Sequence, residues 1–410
     1  MVLIQFKNQS VMKKIILFSV FLVTGLVLSQ MMPEIAGESY KTFRFINGIL
    51  LSVALSFIMI NVGREFELDK SKWRSYRTDY FVAMVAAAAP WFLVAFYYMF
   101  LMPDGQFWNW DAWKSNLLLS RFSAPTSAGI LFTMLAAIGL KKSWFYQKIQ
   151  TLAIFDDLDT ILLMIPLQIL MVGLHWELHI IIVVVVLLLW IGWKKINTFK
   201  LQQKWFHILG YAAVVVGISE FIYRTSLFIS VKGIHIEVLL PAFILGMIIK
   251  TSHNERKVDV NAANMISYIF MFLVGLSMPL FIGQIDSANL ADNEAVMPQM
   301  SWGQIAFHVI VVSLLTNIGK MVPMFFYKDR SLRERLALSI GMFARGEVGA
   351  GIIFIAIGYN IGGPLLAISV LTLVLNLILT GLFIVIVKNI MIKCINCGEE
   401  TVDVEIESVQ

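Results

Sequence analysis

The sequence predicts an all-α, polytopic membrane protein of about twelve transmembrane helices, and three observations carry that expectation. First, 59% of the 410 residues are hydrophobic and only 14% are charged, against about 25% charged in an ordinary soluble domain. Mean hydropathy is +0.78. Second, the apolar residues fall in runs near the length of about 20 that a helix needs to cross a bilayer. Third, Lys and Arg gather on alternate connecting loops. A cytosolic enzyme is excluded, because a soluble core of this size could not hide so much apolar surface. A nucleic-acid binder is excluded despite a net charge of +5, because the basic residues form no tail or stripe. Two cysteines in the chain exclude a disulfide scaffold.

The candidate spans are 11–32, 47–63, 79–101, 115–139, 146–172, 178–193, 205–228, 236–250, 261–283, 303–327, 336–358 and 363–390. The first follows Lys13-Lys14 and reads ILFSVFLVTGLVL. A signal peptide would show a small-x-small cleavage site, and none follows clearly, so this span is expected to be a retained helix. The second closes on a charged segment, NVGREFELDKSKW. The third is a strong apolar run. The fourth is interrupted by SRFSAPTSAGI and the fifth carries FDDLDT. The seventh is polar at its end and the eighth is short. The tenth contains Lys320, the eleventh is rich in glycine, and the twelfth is long and apolar.

With the N-terminus placed in the cytoplasm, 24 of the 32 Lys and Arg residues lie in cytoplasmic segments. Only Lys41, Arg44, Lys114 and Lys232 are outside, and Arg121, Arg224, Lys320 and Arg345 lie in or at the ends of spans. This positive-inside bias predicts a multi-pass protein of the cell inner (plasma) membrane with both termini cytoplasmic. The longest outer loop, about 284–302, is acidic, and the tail after residue 393 is short. Cys394 and Cys397 form a single CxxC, whereas a tetrahedral zinc site needs four ligands. No cofactor is expected.

Ionisable residues inside spans are costly and therefore point to function. Asp156, Asp157 and Asp159 stand in an otherwise apolar fifth span. Adjacent helical positions point about 100° apart, so Asp156 and Asp157 can face different partners in one cavity. Close, buried carboxylates raise each other's proton affinity, which suits a group that swaps a proton for a cation. Lys320 either snorkels to the cytoplasmic surface or pairs with a fifth-span aspartate. In the eleventh span, Arg345 and Glu347 lie among Gly341, Gly346, Gly349 and Gly351, a composition that permits local unwinding. The fourth span has a matching weak point at Pro125, Thr126, Ser127 and Gly129, where Pro125 removes a donor and disfavours helix at Ala124. Two interrupted helices in separated parts of a membrane protein point to a midplane site. Spans three to five and ten to twelve form two units of opposite orientation, each with its broken helix in the middle.

These motifs, in order over about residues 10–390, resemble the electrogenic sodium/proton antiporters of the monovalent cation:proton antiporter superfamily. FDDLDT is similar to that family's paired-aspartate motif, NIGKMVP to its lysine segment and GMFARGEVGAGI to its Arg-Gly-Glu motif. APTSAGI, NVGREFELDKSKW, PAFILGMII and FLVGLSMPL resemble further family segments. The resemblance implies an inverted-repeat antiporter fold with two crossing broken helices. It implies that Asp157 alternates between a cation and a proton and that Asp156 pairs with Lys320. Thr126 and Ser127 would line the crossing. Arg345 and Glu347 would be structural or gating groups. Asp159, a third acid in the motif, joins them as structural or gating, and the family pattern lacks it. The implied organisation is a scaffold of 1–77 and 174–302, a moving core of 78–173 and 303–390, and a cytoplasmic tail of 391–410. The implied partners are sodium or lithium, protons, the lipid bilayer and a second copy in a homodimer. No nucleic acid and no enzymatic activity are expected. A potassium/proton antiporter, or a sodium-coupled symporter of related fold, is the near rival. An intramembrane aspartyl protease is remote, since its Gly-x-Gly-Asp motif is missing.

Overall fold

The computed structural model describes residues 2–65, 73–127, 131, 144–172, 183, 187–188, 190–192, 194–195, 198–229, 238–249, 260–277, 300–359 and 361–396. Among these residues there are twelve α-helices and no strand beyond one isolated bridge between Phe199 and Ile249. Five helical stretches among the described residues are long and apolar enough to cross a membrane. The chain is an all-α membrane protein, as its composition predicts.

The first packing group contains α1 (Val2–Ala36), α2 (Tyr40–Glu65), α6 (Trp205–Ile229), α7 (Leu239–Ile248) and α8 (Val260–Leu276). Here α1 lies on α8, and α2 lies on α6, α7 and α8. The contacts are close because glycines face each other across them: Gly25 meets Gly275 and Gly63 meets Gly246. Lipid is as apolar as a leucine side chain, so close approach of small residues replaces the hydrophobic effect as the source of adhesion.

The second group contains α3 (Trp73–Leu101), α4 (Trp110–Ser120), α5 (Trp144–Val172), α9 (Trp302–Gly319), α10 (Leu332–Gly341), α11 (Glu347–Gly358) and α12 (Gly363–Asn396). Helix α3 packs on α5 and α9, while α12 packs on α9 and α10. The two groups meet where α1 touches α12 and α8 touches α11. Local signals start these helices. Ser301 and Gln304 form a capping box on α9, Ser331 and Glu334 form one on α10, and the Asn109 side chain caps α4.

Several boundaries differ from the hydropathy reading. The eleventh span is two half-helices, α10 and α11, separated by 342–346. Helix α4 stops at Ser120, continues as a single 3-10 turn over Arg121–Ser123, and then opens. Ala124 keeps helical dihedrals, with φ −76° and ψ −54°. The interruption therefore owes to the donor missing at Pro125, and not to a restriction on Ala124. Helix α9 ends at Gly319, well before residue 327, and a 3-10 turn at Val322–Phe325 follows. Pro323 opens that turn, because proline has no N–H to continue the helix. Residues 128–130 and 132–139 of the fourth span, most of the sixth span, residues 284–299 of the outer loop and the tail after residue 396 lie outside the described residues.

Candidate functional site

The two interruptions meet. The Ser127 N–H donates to the Ala344 carbonyl at 2.9 Å, and the Thr126 hydroxyl donates to the Met342 carbonyl at 3.1 Å. Residues 124–127 and 342–346 thus satisfy part of each other's backbone where both helices are interrupted, which is the condition for irregular backbone at membrane depth. Gly349, in the first turn of α11, lets that helix sit on the α4 break: a β-carbon there would lie 3.0 Å from the Phe122 carbonyl.

Helix α5 brings its acids to this crossing. Asp156 accepts the Thr126 N–H at 2.7 Å. The Lys320 ammonium donates to both oxygens of Asp156, each at 2.7 Å. Both side chains are 0% exposed, so Lys320 does not snorkel. Lys320 is held there by its neighbour. A β-carbon on Gly319 would lie 2.5 Å from the Cα of Pro90, so only glycine lets the end of α9 close on α3. Asp157, the next residue, is also buried and within electrostatic reach of Lys320.

Arg345 is buried where helix ends converge. Its Nη1 donates to the Pro125 carbonyl at 3.2 Å and the Met342 carbonyl at 3.5 Å, and its Nη2 to the Thr316 carbonyl at 3.3 Å. Met342 caps the C-terminus of α10 and Thr316 is in the last turn of α9, so the guanidinium meets the negative ends of two helix dipoles. Glu347 opens α11; its side chain lies outside the described residues.

Asp159 is engaged elsewhere. Arg121 Nη2 donates to its carbonyl oxygen at 3.1 Å and approaches its carboxylate at 3.5 Å. The Arg121 guanidinium also stacks over the Trp91 ring, 4.6 Å from its centre. In the sequence Arg121 stands as an in-span cation without an assigned role, although the rule that such charges need partners applies to it equally. Two of the buried acids thus have their own cation, Asp156 in Lys320 and Asp159 in Arg121.

A second polar cluster, unforeseen in the sequence, joins α3, α5 and the segment after α9. Lys148 donates to both oxygens of the buried Asp79 at 2.9 Å, and the Tyr327 hydroxyl donates to the same carboxylate at 2.7 Å. Burial first, and then the Asp79 charge, push the Tyr327 phenol above its ordinary range. Tyr327 has φ 51°, a left-handed conformation that costs a non-glycine residue energy and that the Asp79 contact helps to hold. Asp79 stands at the very edge of its span, where a charge carries little signal.

Comparison with known proteins adds one finding. A family model described as "Sodium/hydrogen exchanger, transmembrane" matches residues 10–389. No curated protein matches the chain.

Proposed function

The chain belongs to the sodium/hydrogen exchanger family of cation/proton antiporters, and from that premise we propose that it exchanges sodium or lithium for protons across the cell inner (plasma) membrane, electrogenically. One observation carries the finer reading: a buried lysine clamps one aspartate of a pair while the next aspartate is buried beside it. Two titrating centres in one cavity, Asp157 and the Asp156–Lys320 pair, support more than one proton per cation. The membrane potential then contributes to the driving force.

The cycle is a competition. A cation entering at Asp157 and Asp156 adds positive charge beside Lys320 and drives a proton out. Carrying an uncompensated charge through a low-dielectric interior is costly, so the carrier crosses loaded with cation or with proton and stays in place when empty. Helices α3–α5 and α9–α12 form the moving core, and the remaining helices form a dimerising scaffold with both termini cytoplasmic. Thr126 and Ser127 keep the two breaks in register. Arg345, Glu347 and Asp159 hold the frame around them.

The test uses the full chain in proteoliposomes containing a pH-sensitive dye. Sodium, lithium and potassium gradients are imposed in turn, with the potential free or clamped. Sodium- and lithium-driven proton flux that changes with the clamp supports the proposal. Flux driven by potassium alone assigns the chain to potassium/proton exchange. Flux indifferent to the potential removes the electrogenic element.

A further inference from the structure

We propose that the Thr160 hydroxyl is a ligand of the transported cation, set between Asp156 and Asp157 and helping to determine how tightly, and which, alkali cation binds; the proposal rests on reading the chain as a cation/proton antiporter. Thr160 is 1% exposed. Its Oγ1 is buried and, among the described residues, has no hydrogen-bond partner.

That sets it apart from most other buried hydroxyls of the described helices. Ser123 donates to the Ser120 carbonyl at 2.7 Å, Thr316 to Ser313 at 2.8 Å, Ser369 to Leu365 at 2.9 Å and Thr380 to Asn376 at 2.8 Å. A threonine in a helix has the carbonyls three and four residues back within reach. For Thr160 these belong to Asp157 and Asp156, and the side chain bonds neither. A buried hydroxyl without a partner is destabilising in an apolar interior, so a group held that way needs another reason to be there.

Helical geometry supplies one. Taking Asp156 as zero, Asp157 projects at about 100° and Thr160 at about 40° round the axis of α5. Thr160 therefore lies between the two carboxylates in projection, one turn further along the helix. Asp159 projects at about 300°, on the other side, where it meets Arg121. Hard cations take oxygen ligands. A hydroxyl offers a lone pair without adding negative charge, so it strengthens cation binding while leaving unchanged the number of protons the acids must release.

The test compares wild type, Thr160→Val and Thr160→Ser in proteoliposomes. Valine keeps the branched shape and removes the oxygen; serine keeps the oxygen. The readouts are the half-saturating sodium and lithium concentrations and the melting temperature with and without sodium. Thr160→Val is expected to raise half-saturation about tenfold or more, each tenfold being about 1.4 kcal/mol of cation binding. It should also change the lithium-to-sodium ratio and reduce the stabilisation that sodium confers. In sodium-free buffer it should melt at or above wild type, because the unmatched hydroxyl is gone. Thr160→Ser should behave as wild type. Unchanged half-saturation and ratio in Thr160→Val overturn the proposal, as does an equal loss in Thr160→Ser, which would mean packing and not ligation. Should the valine variant fail to fold, Thr160→Ala decides on the same readouts. A wild type that moves protons with no alkali cation overturns the antiport reading itself. A wild type that exchanges, with Thr160→Val indistinguishable from it, overturns only the ligand.

Discussion

Removing Lys320 and Asp156 separately and together gives the sharpest energetic test of the site. In Lys320→Met the carboxylate of Asp156 loses two 2.7 Å charge-assisted bonds and keeps the Thr126 N–H at 2.7 Å. Neither side chain is reached by water, each being 0% exposed. Removing one member of such a buried pair costs about 3–5 kcal/mol, because the survivor is a buried charge without its counter-charge. Asp156→Leu strands the ammonium in the same way and should cost a similar amount. The double variant strands no charge. Replacing a whole buried pair by apolar groups is near neutral or stabilising by about 1–4 kcal/mol, while the Thr126 N–H loses its acceptor at a cost of about 1–3 kcal/mol. The double variant should therefore lie within about 3 kcal/mol of wild type, where additivity would put it about 6–10 kcal/mol below. The cycle reads a coupling of at least about 3 kcal/mol, at the top of the range for residues in contact. Detergent-titrated unfolding in mixed micelles, followed by tryptophan fluorescence, measures it. Single effects that sum in the double variant to within about 0.5 kcal/mol would refute the reasoning.

Other consequences follow from the same geometry. Gly319→Ala puts a β-carbon against Pro90, should cost about 1–3 kcal/mol as overpacking, and should slow exchange by displacing Lys320. Gly303→Ala, on the same helix with open space around it, should change neither melting nor flux. Arg345→Lys cannot reach the Pro125, Met342 and Thr316 carbonyls together. At about 1 kcal/mol per lost bond, it should lower the melting temperature and the exchange rate, both read on purified protein. Tyr327→Phe removes one of three hydrogen bonds to Asp79 and should cost about 1 kcal/mol. The raised Tyr327 pKa means the phenol contributes fully below its unfolded value of about 10 and loses that contribution only as pH climbs through the folded value. Melting curves across the neutral range should therefore show a constant difference from wild type, with transport unchanged.

The membrane class, the helix positions and the two interruptions were legible in the sequence because their causes are local. Apolar runs of fixed length, Pro125 and the glycines around Arg345 each act within a turn or two. The Lys320–Asp156 contact was legible as a need, since a buried ammonium requires a counter-charge, but its geometry depends on Gly319 closing on Pro90 across 229 positions of chain. That is a tertiary fact with no local signature. Arg121 stood in plain view among the in-span charges. Its partner could not be read, because Asp159 looks like a member of the acidic motif, while it projects about 60° from Asp156 on the side away from Asp157 and meets Arg121 there. The end of α9 falls short of the hydropathy boundary at residue 327 because Met321–Phe326 is as apolar as the helix before it, and hydropathy does not register the donor that Pro323 lacks.

The central claim is that Asp157 holds a proton or a cation by turns. Asp157→Asn tests it most directly, because an amide can hydrogen-bond but does not take up and release a proton near neutral pH. The measurement is sodium-driven proton flux in proteoliposomes, with elution profile and melting behaviour confirming that the variant is folded. The account predicts a folded protein with no exchange. Flux at the wild-type rate from Asp157→Asn vesicles would contradict it.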